Sequence, residues 1–167
     1  MATQRINTGG LRCPAAWVEA APFRAHLQHL MAVGQLSVAA VAVLTGVSYR
    51  SARHLLYGRG GRAVRRISPD TARRLLSVTA AEAAAVAGRM VPAASTRSSI
   101  ARLRVAGWSD HELAGTLGLR LVNVAALADG RTKVCTQLVA LRALGEARVL
   151  EAGVWMPGPS SVLRAAA

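Results

Sequence analysis

Aromatic residues are scarce in this chain, and cysteine is scarcer still. Phe, Trp and Tyr make up 4% of the 167 residues, and Ala, Val and Leu fill the apolar positions, which favours helices packed through small side chains over a β-sandwich. The two cysteines, Cys13 and Cys135, lie far apart and predict no disulfide framework. The sequence has no run of about 18 uncharged apolar residues, and its N-terminus lacks the apolar middle of a signal peptide. We therefore expect an all-α, cytoplasmic protein with no membrane partner.

Acidic residues are also few. The chain has 21 Lys and Arg residues against 8 Asp and Glu residues, which gives a net charge of +13. Such an excess predicts an anionic partner, for which nucleic acid is the first candidate. Residues 1–78 contain 11 of the arginines but only two acids, Glu19 and Asp70. The first half of the chain is therefore expected to provide the main phosphate-binding surface.

A pattern of about 23 residues occurs twice, in Leu36–Gly58 and again in Trp108–Gly130, at a constant offset of 72. Ser37 and Ser109 stand where a helix would be capped, and Gly46 and Gly118 stand where a tight turn needs a left-handed residue. The shared features are a cap, a small residue at the helix crossing, a turn glycine and apolar anchors on the second helix. Together they predict a helix-turn-helix in each copy.

The wider pattern predicts two units of about four helices each, joined by a helical linker. We assign a flexible N-terminal arm to residues 1–21, a first helix-turn-helix domain to 22–78 and a linker helix to 79–94. A second domain follows at 95–152, and a C-terminal tail at 153–167. The last helix of the first unit should begin at Ser68, with Ala72, Leu75 and Leu76 on its inner face.

The second helix of the first motif carries side chains that suit a DNA groove. With Val47, Ala52 and Leu55 turned inward, the outward face can read bases. We predict base contacts from Ser48, Tyr49, Arg50, Arg53 and His54. The basic loop that follows predicts phosphate contacts, and this set is Tyr57, Arg59, Arg62, Arg65 and Arg66.

Both motifs resemble the helix-turn-helix of Cro/repressor-type (XRE-like) regulators, and SDHELAGTLGL in the second copy is the closer match in its framework. The layout as a whole is similar to tandem helix-turn-helix proteins of actinobacteria and their bacteriophages, over about residues 22–160. This similarity rests on LLYGR, RRISPDTARRLLSV, LADGRTKV and the closing PGPS. The resemblance implies an all-α fold and binding of double-stranded DNA, as a transcription regulator of the repressor type.

The outward face of the second copy departs from this pattern. Leu121, Val122 and Ala125 are apolar there, which suits a protein contact. The partner would be the first repeat, a second copy of the chain or a host transcription protein. Basic and polar residues nearby offer instead a second, weaker DNA contact, and these are Arg120, Asn123, Arg131 and Lys133. Both possibilities stay open at this point.

Other functional classes find little support. Eight scattered acids provide neither paired carboxylates nor metal-ligand spacing, and no phosphate-binding glycine loop is present. We expect no enzyme activity, no catalytic residues, no cofactor and no metal. Two alternatives to a specific regulator remain: an architectural, nucleoid-associated protein that binds DNA by charge alone, and an adaptor that binds a protein partner through its second repeat.

Overall fold

The described part of the chain, residues 16–153 of a computed structural model, is all-α, as predicted. Its elements, in chain order, are β1 (Val18–Glu19), α1 (Ala21–Gly34), α2 (Val38–Thr45), α3 (Tyr49–Tyr57), β2 (Arg66–Ile67), α4 (Pro69–Leu76), α5 (Ala80–Ala85), β3 (Met90–Pro92), α6 (Ala94–Val105), α7 (Asp110–Leu117), α8 (Leu121–Ala128), β4 (Val134–Thr136) and α9 (Gln137–Glu151). The predicted tail at 153–167, apart from Gly153, and residues 1–15 of the predicted arm lie outside the described residues.

Local sequence signals account for most of the helix boundaries. The side chains of Ser37, Ser48, Ser68, Thr79 and Ser109 each accept a backbone N–H bond at the start of a helix. Such a cap satisfies one of the N–H groups that the first helical turn leaves free. The two turn glycines, Gly46 at φ 68° and Gly118 at φ 69°, both adopt the left-handed conformation predicted for them.

The same order of elements occurs twice. A short strand, three helices, a second strand and a further helix run from β1 to α4 and again from β3 to α9. In each case the strand before the first helix pairs antiparallel with the strand after the third, with Val18 opposite Ile67 in one copy and Val91 opposite Cys135 in the other. The duplication therefore extends beyond the two 23-residue segments that the sequence pattern identified.

Two segments differ from the sequence-based expectation. In the segment assigned to the arm, Val18 and Glu19 form β1, and Ala20 is fully buried. In the segment assigned to the linker helix, α5 ends at Ala85, and Ala83 packs into the first core. In both places backbone pairing or close packing anchors residues that carry no clear amphipathic pattern of their own.

Leu76 was expected on the inner face of α4 but is 61% exposed. The helix ends at this residue. Val78, just beyond the end of α4, is buried in the first core instead.

Each repeat has its own apolar core, and α9 contributes to both. The first core is built around Leu27, Leu30, Leu55 and Leu75, and it includes Leu141 of α9. The second is built around Ile100, Leu103, Leu113, Leu117 and Leu127, and it includes Val139 and Ala143 of α9. The assignment of two separate domains stays a prediction, since α9 packs on α2 of the first repeat as well as on its own repeat.

Among residues 16–153, no single helix is both long and apolar enough to cross a bilayer. Only α1 and α2 together reach that length and composition, and they are bent by 108° at their break.

Candidate nucleic-acid interface

The exposed face of α3 carries basic and aromatic side chains. Ala52 and Leu55 anchor this helix in the first core, which leaves Arg50 and Arg53 exposed on the opposite side. Tyr57, in the last turn, is 67% exposed, while Tyr49 and His54 are half-buried. The structure thus places the predicted base-reading side chains on one helix whose outer surface is open to a ligand.

Ser48 has a structural task within this group. Its Oγ accepts a bond from the Ser51 backbone N–H at 3.1 Å and donates to the Ser51 hydroxyl at 2.8 Å. The hydroxyl proton is therefore already engaged in the cap, although the residue is exposed. Ser51, which the sequence analysis did not single out, is also exposed one turn into the helix.

A tight hairpin follows α3 where the sequence indicated a basic loop. Arg59 N–H donates to the Arg62 carbonyl at 2.9 Å, and Arg62 N–H donates to the Arg59 carbonyl at 3.1 Å. Gly60 and Gly61 between them both have positive φ, as a type I′ turn requires. Arg66 lies in β2, opposite Glu19 of β1. Of the arginines predicted to contact phosphate, Arg59 and Arg62 therefore close a hairpin, Arg66 lies in β2, and Arg65 directly precedes that strand.

All six arginines from Arg50 to Arg66 are exposed, and none of their guanidinium groups bonds to another part of residues 16–153. They are Arg50, Arg53, Arg59, Arg62, Arg65 and Arg66. The other arginines of the first repeat, Arg24, Arg73 and Arg74, do form side-chain bonds. Arg24 donates from Nε to the Leu55 carbonyl and from Nη2 to the Val64 carbonyl, at 2.7 Å each. The free positive charge of the first repeat is thus concentrated on α3 and the hairpin after it.

Two depressions border α3. The first, here named the wing groove, has a volume of about 360 Å³ and is lined by Trp17, Ser51, His54, Arg59 and Arg66. The second, here named the turn cleft, has a volume of about 610 Å³ and is lined on its polar side by Ser48, Tyr49, Arg50, Arg74 and Arg148. Arg53 is exposed and lines neither depression.

Two residues at these borders were missed by the sequence analysis. Trp17 is 63% exposed beside the C-terminal half of α3, because β1 holds the chain next to β2. Arg148 belongs to the last turn of α9 in the second repeat. Both are placed by contacts between distant parts of the chain, and a lone tryptophan or arginine in the sequence does not reveal such contacts.

The second repeat carries a different surface at the equivalent positions. Leu121 is 43% exposed and Val122 is 60% exposed, while Ala125 is half-buried. Arg120 caps α8 by position only, since its side chain makes no capping bond. Asn123 and Lys133 are exposed.

Arg131 forms a 3.0 Å ion pair with Asp129, so part of its charge is already compensated. No such ion pair is found for Arg120 or Lys133 in the described part of the chain.

The strand register extends this contrast to the wing groove. Val18–Ile67 corresponds to Val91–Cys135. By this register, Trp17 of the first repeat corresponds to Met90 of the second, and Arg66 corresponds to Val134. Met90 is 57% exposed and Val134 is 49% exposed. At these two positions the second repeat therefore exposes apolar side chains where the first repeat exposes a tryptophan and an arginine.

No family model, curated protein or solved structure matches this chain.

Proposed function

We propose that the protein binds double-stranded DNA in a sequence-specific manner, with α3 in the major groove, and that it regulates transcription. The observation that carries this proposal is the concentration of six exposed, unpaired arginines on α3 and the hairpin after it. An α-helix fits the width of the major groove, and an arginine on its outer face can bond a guanine edge with two hydrogen bonds.

The position of Arg53 supports a role in base readout. Arg53 is exposed on the side of α3 opposite its buried anchors Ala52 and Leu55. A helix inserted in the major groove presents its outward side chains to the base edges. Arg53 is accordingly the first candidate for reading a base, and Arg50 is the second.

The wing groove supports a role in phosphate contact. Arg59 and Arg66 meet there beside the exposed ring of Trp17. Phosphate contacts fix the register of a protein on the duplex and carry little sequence information. Arg62 and Arg65 line a separate, neighbouring depression, so the hairpin presents cations on two sides.

We further propose repressor activity and association with the nucleoid, in line with the resemblance to Cro/repressor-type regulators. Steric occlusion of a promoter needs only tight binding at one site. The six unpaired arginines on α3 and the hairpin after it would supply such binding, and the exposed apolar residues of the second repeat would be available for contacts with protein.

The experiment is a binding titration on a selected duplex and on single-base variants of it. Arg53→Ala is expected to reduce the free energy of binding to the selected duplex by about 1–3 kcal/mol and to relax the base preference at one position. Arg66→Ala is expected to weaken all sequences alike and to lower the log–log salt slope by about 0.9. Arg89→Ala, which removes the same charge from the connection between α5 and β3, is the matched control. Undiminished preference in Arg50→Ala and Arg53→Ala alike would contradict readout by α3.

An adaptor role is the second candidate, and one observation favours it. Leu121, Val122, Met90 and Val134 are all more than two-fifths exposed in the second repeat. Exposed apolar residues are common singly, but several on one repeat suit a contact with protein. Self-association or binding of a transcription protein through this surface is compatible with DNA binding by the first repeat.

A further inference from the structure

The turn cleft lies between the two repeats. Three arginines from three different helices line it. Arg50 comes from α3, Arg74 from α4 and Arg148 from α9, and no acidic residue of the described chain is among the lining residues. Like charges that converge on one space repel each other unless an anion lies between them. The cleft, at about 610 Å³, is large enough to admit a phosphodiester group from outside.

Arg148 reaches the cleft because of the way α9 packs on α2. At Gly145 the two helices approach so closely that an added Cβ would lie 2.7 Å from the carbonyl carbon of Ala39. Arg148 and Ala152 follow Gly145 at helical spacing and so lie on the same side of α9. The contact between the repeats therefore delivers Arg148 beside the turn of the first helix-turn-helix.

The three arginines are not equally free. Arg74 is held by the Gly46 carbonyl, to which its Nη1 donates at 2.8 Å, and by Asp70 at 2.8 Å from its Nε. Arg148 has no partner among residues 16–153, and Glu151, the acid one turn later on its helix, pairs with Arg102 instead. Arg50 is also unpaired. Two free guanidinium groups therefore face the cleft beside a third that helps to shape it.

We propose that the turn cleft binds one phosphate of the DNA backbone, and that Arg148 of the second repeat is a ligand of that phosphate together with Arg50. This inference rests on the proposed function. It assigns the second repeat a DNA contact through α9, whereas the sequence had pointed to α8 and the loop after it. The second repeat then contributes to DNA binding through a phosphate contact next to α3, although it reads no bases itself.

The test compares the full-length protein with Arg148→Ala, Arg148→Lys and Arg89→Ala on the selected duplex and on an unrelated duplex, at several salt concentrations. Arg148→Ala is expected to lower the slope of log affinity against log salt concentration by about 0.9. It should weaken binding to both duplexes by the same factor, roughly 5- to 10-fold near 0.1 M salt. Arg148→Lys should restore most of the slope, because it retains the charge. Arg89→Ala should leave the slope within about 0.3 of the unmodified protein. Circular dichroism verifies that each variant is folded.

A second arm separates the duplex backbone from free phosphate compounds. Inorganic pyrophosphate is titrated into the DNA-free protein, and the guanidinium NMR signals of Arg50 and Arg148 are followed. Weak binding that excess duplex displaces supports the proposal. Tight binding of pyrophosphate, with an unchanged DNA salt slope in Arg148→Ala, would overturn it in favour of a small phosphorylated ligand. An unchanged slope in Arg148→Ala with normal binding by the unmodified protein would overturn this inference alone, whereas absence of duplex binding by the unmodified protein would overturn the proposed function as well.

Discussion

Gly145 of α9 lies directly against the backbone of Ala39 in α2, and no side chain can stand between them. A Cβ at position 145 would lie 2.7 Å from the Ala39 carbonyl carbon and 2.8 Å from its oxygen. Since backbone atoms cannot move aside as the end of a long side chain can, this glycine sets how closely the second repeat docks on the first. The docking in turn places Arg148 beside α3.

Gly145→Ala is therefore expected to lower the free energy of unfolding by about 1–3 kcal/mol, because overpacking forces the two helices apart. Gly115→Ala in α7 is the matched control, since nothing lies within 4 Å of its added Cβ. That change should raise stability by about 0.5–1 kcal/mol, as alanine loses less backbone entropy than glycine in a helix. Urea unfolding of both variants measures the difference. A Gly145→Ala variant as stable as Gly115→Ala would contradict close docking of α9 on α2.

The second helix of each motif, α3 or α8, has a different N-terminal cap. Substitutions at the two caps should therefore change stability in opposite directions. Ser48 caps α3 with a bond from the Ser51 N–H, whereas Arg120 stands at the cap of α8 with no side-chain bond. Ser48→Ala should lower stability by about 1 kcal/mol. Arg120→Ser should raise it by roughly 0.5–1 kcal/mol, because φ −72° and ψ 148° at Arg120 already suit a capping serine. Thermal unfolding checks both, and loss of stability in Arg120→Ser would show that its side chain has a packing role.

Two glutamates should make stability depend on pH in opposite directions. The backbone N–H and the hydroxyl of Thr79 donate to Glu82 and lower the pKa of its carboxyl below the ordinary 4.5. The stability that this bond gives is present above pH 4.5 and is lost as the pH falls through the lowered pKa. Burial raises the pKa of Glu146 above 4.5. The folded state therefore disfavours the Glu146 carboxylate, and stability falls as the pH rises from 4.5 through the raised value.

From these signs, Glu146→Gln should raise the melting temperature at pH 7, and the gain should disappear near pH 3, where the glutamate is protonated in both states. Glu82→Gln should lower the melting temperature at pH 7 and have less effect near pH 3. Calorimetry at the two pH values gives the comparison. If Glu146→Gln melts at or below the temperature of the unmodified protein at pH 7, the carboxylate of Glu146 has a compensating partner.

The apolar surface of the second repeat offers a test of the adaptor role. A Leu121→Glu/Val122→Glu double variant should stay folded, because neither side chain belongs to the second core. It is expected to lose self-association or cooperative binding on DNA, while the first repeat still binds the duplex. Val105→Glu is the matched control, since Val105 is 91% exposed at the end of α6. Light scattering with and without DNA follows the mass. Unchanged mass and affinity in the folded double variant would rule out an interface there.

The helix caps and the turns of this fold could be predicted from the sequence. The caps at Ser37, Ser48 and Ser109 and the turn glycines Gly46 and Gly118 depend only on neighbouring residues, so a serine or glycine at the right spacing was enough to locate them. The exposed face of α3 followed from the same spacing, because Ala52 and Leu55 had to point inward.

The contacts between segments that are distant in the chain could not be predicted in the same way. The pairing of β1 with β2 joins backbone groups of residues far apart in the chain and leaves no side-chain pattern. The packing of α9 on α2 did leave one signal. The helix VAAVAVLT is apolar on every side, and a helix of that kind is buried all round. Such a helix needs covering elements on every side, so its composition indicated a further packing partner but did not identify it as α9. Trp17 and Arg148 reach the candidate interface only through these contacts.

The most direct test of the account is selection of duplexes from a random DNA pool by the full-length protein, followed by titration of the enriched duplex against a scrambled one at fixed salt. Sequence-specific readout by α3 predicts enrichment of one motif and an affinity about 10³-fold or more above that for the scrambled duplex. It also predicts that Arg53→Ala lowers the ratio of the affinity for the enriched duplex to that for the scrambled duplex. A pool that stays random, with equal affinity for both duplexes, would contradict specific recognition and would leave binding by charge alone.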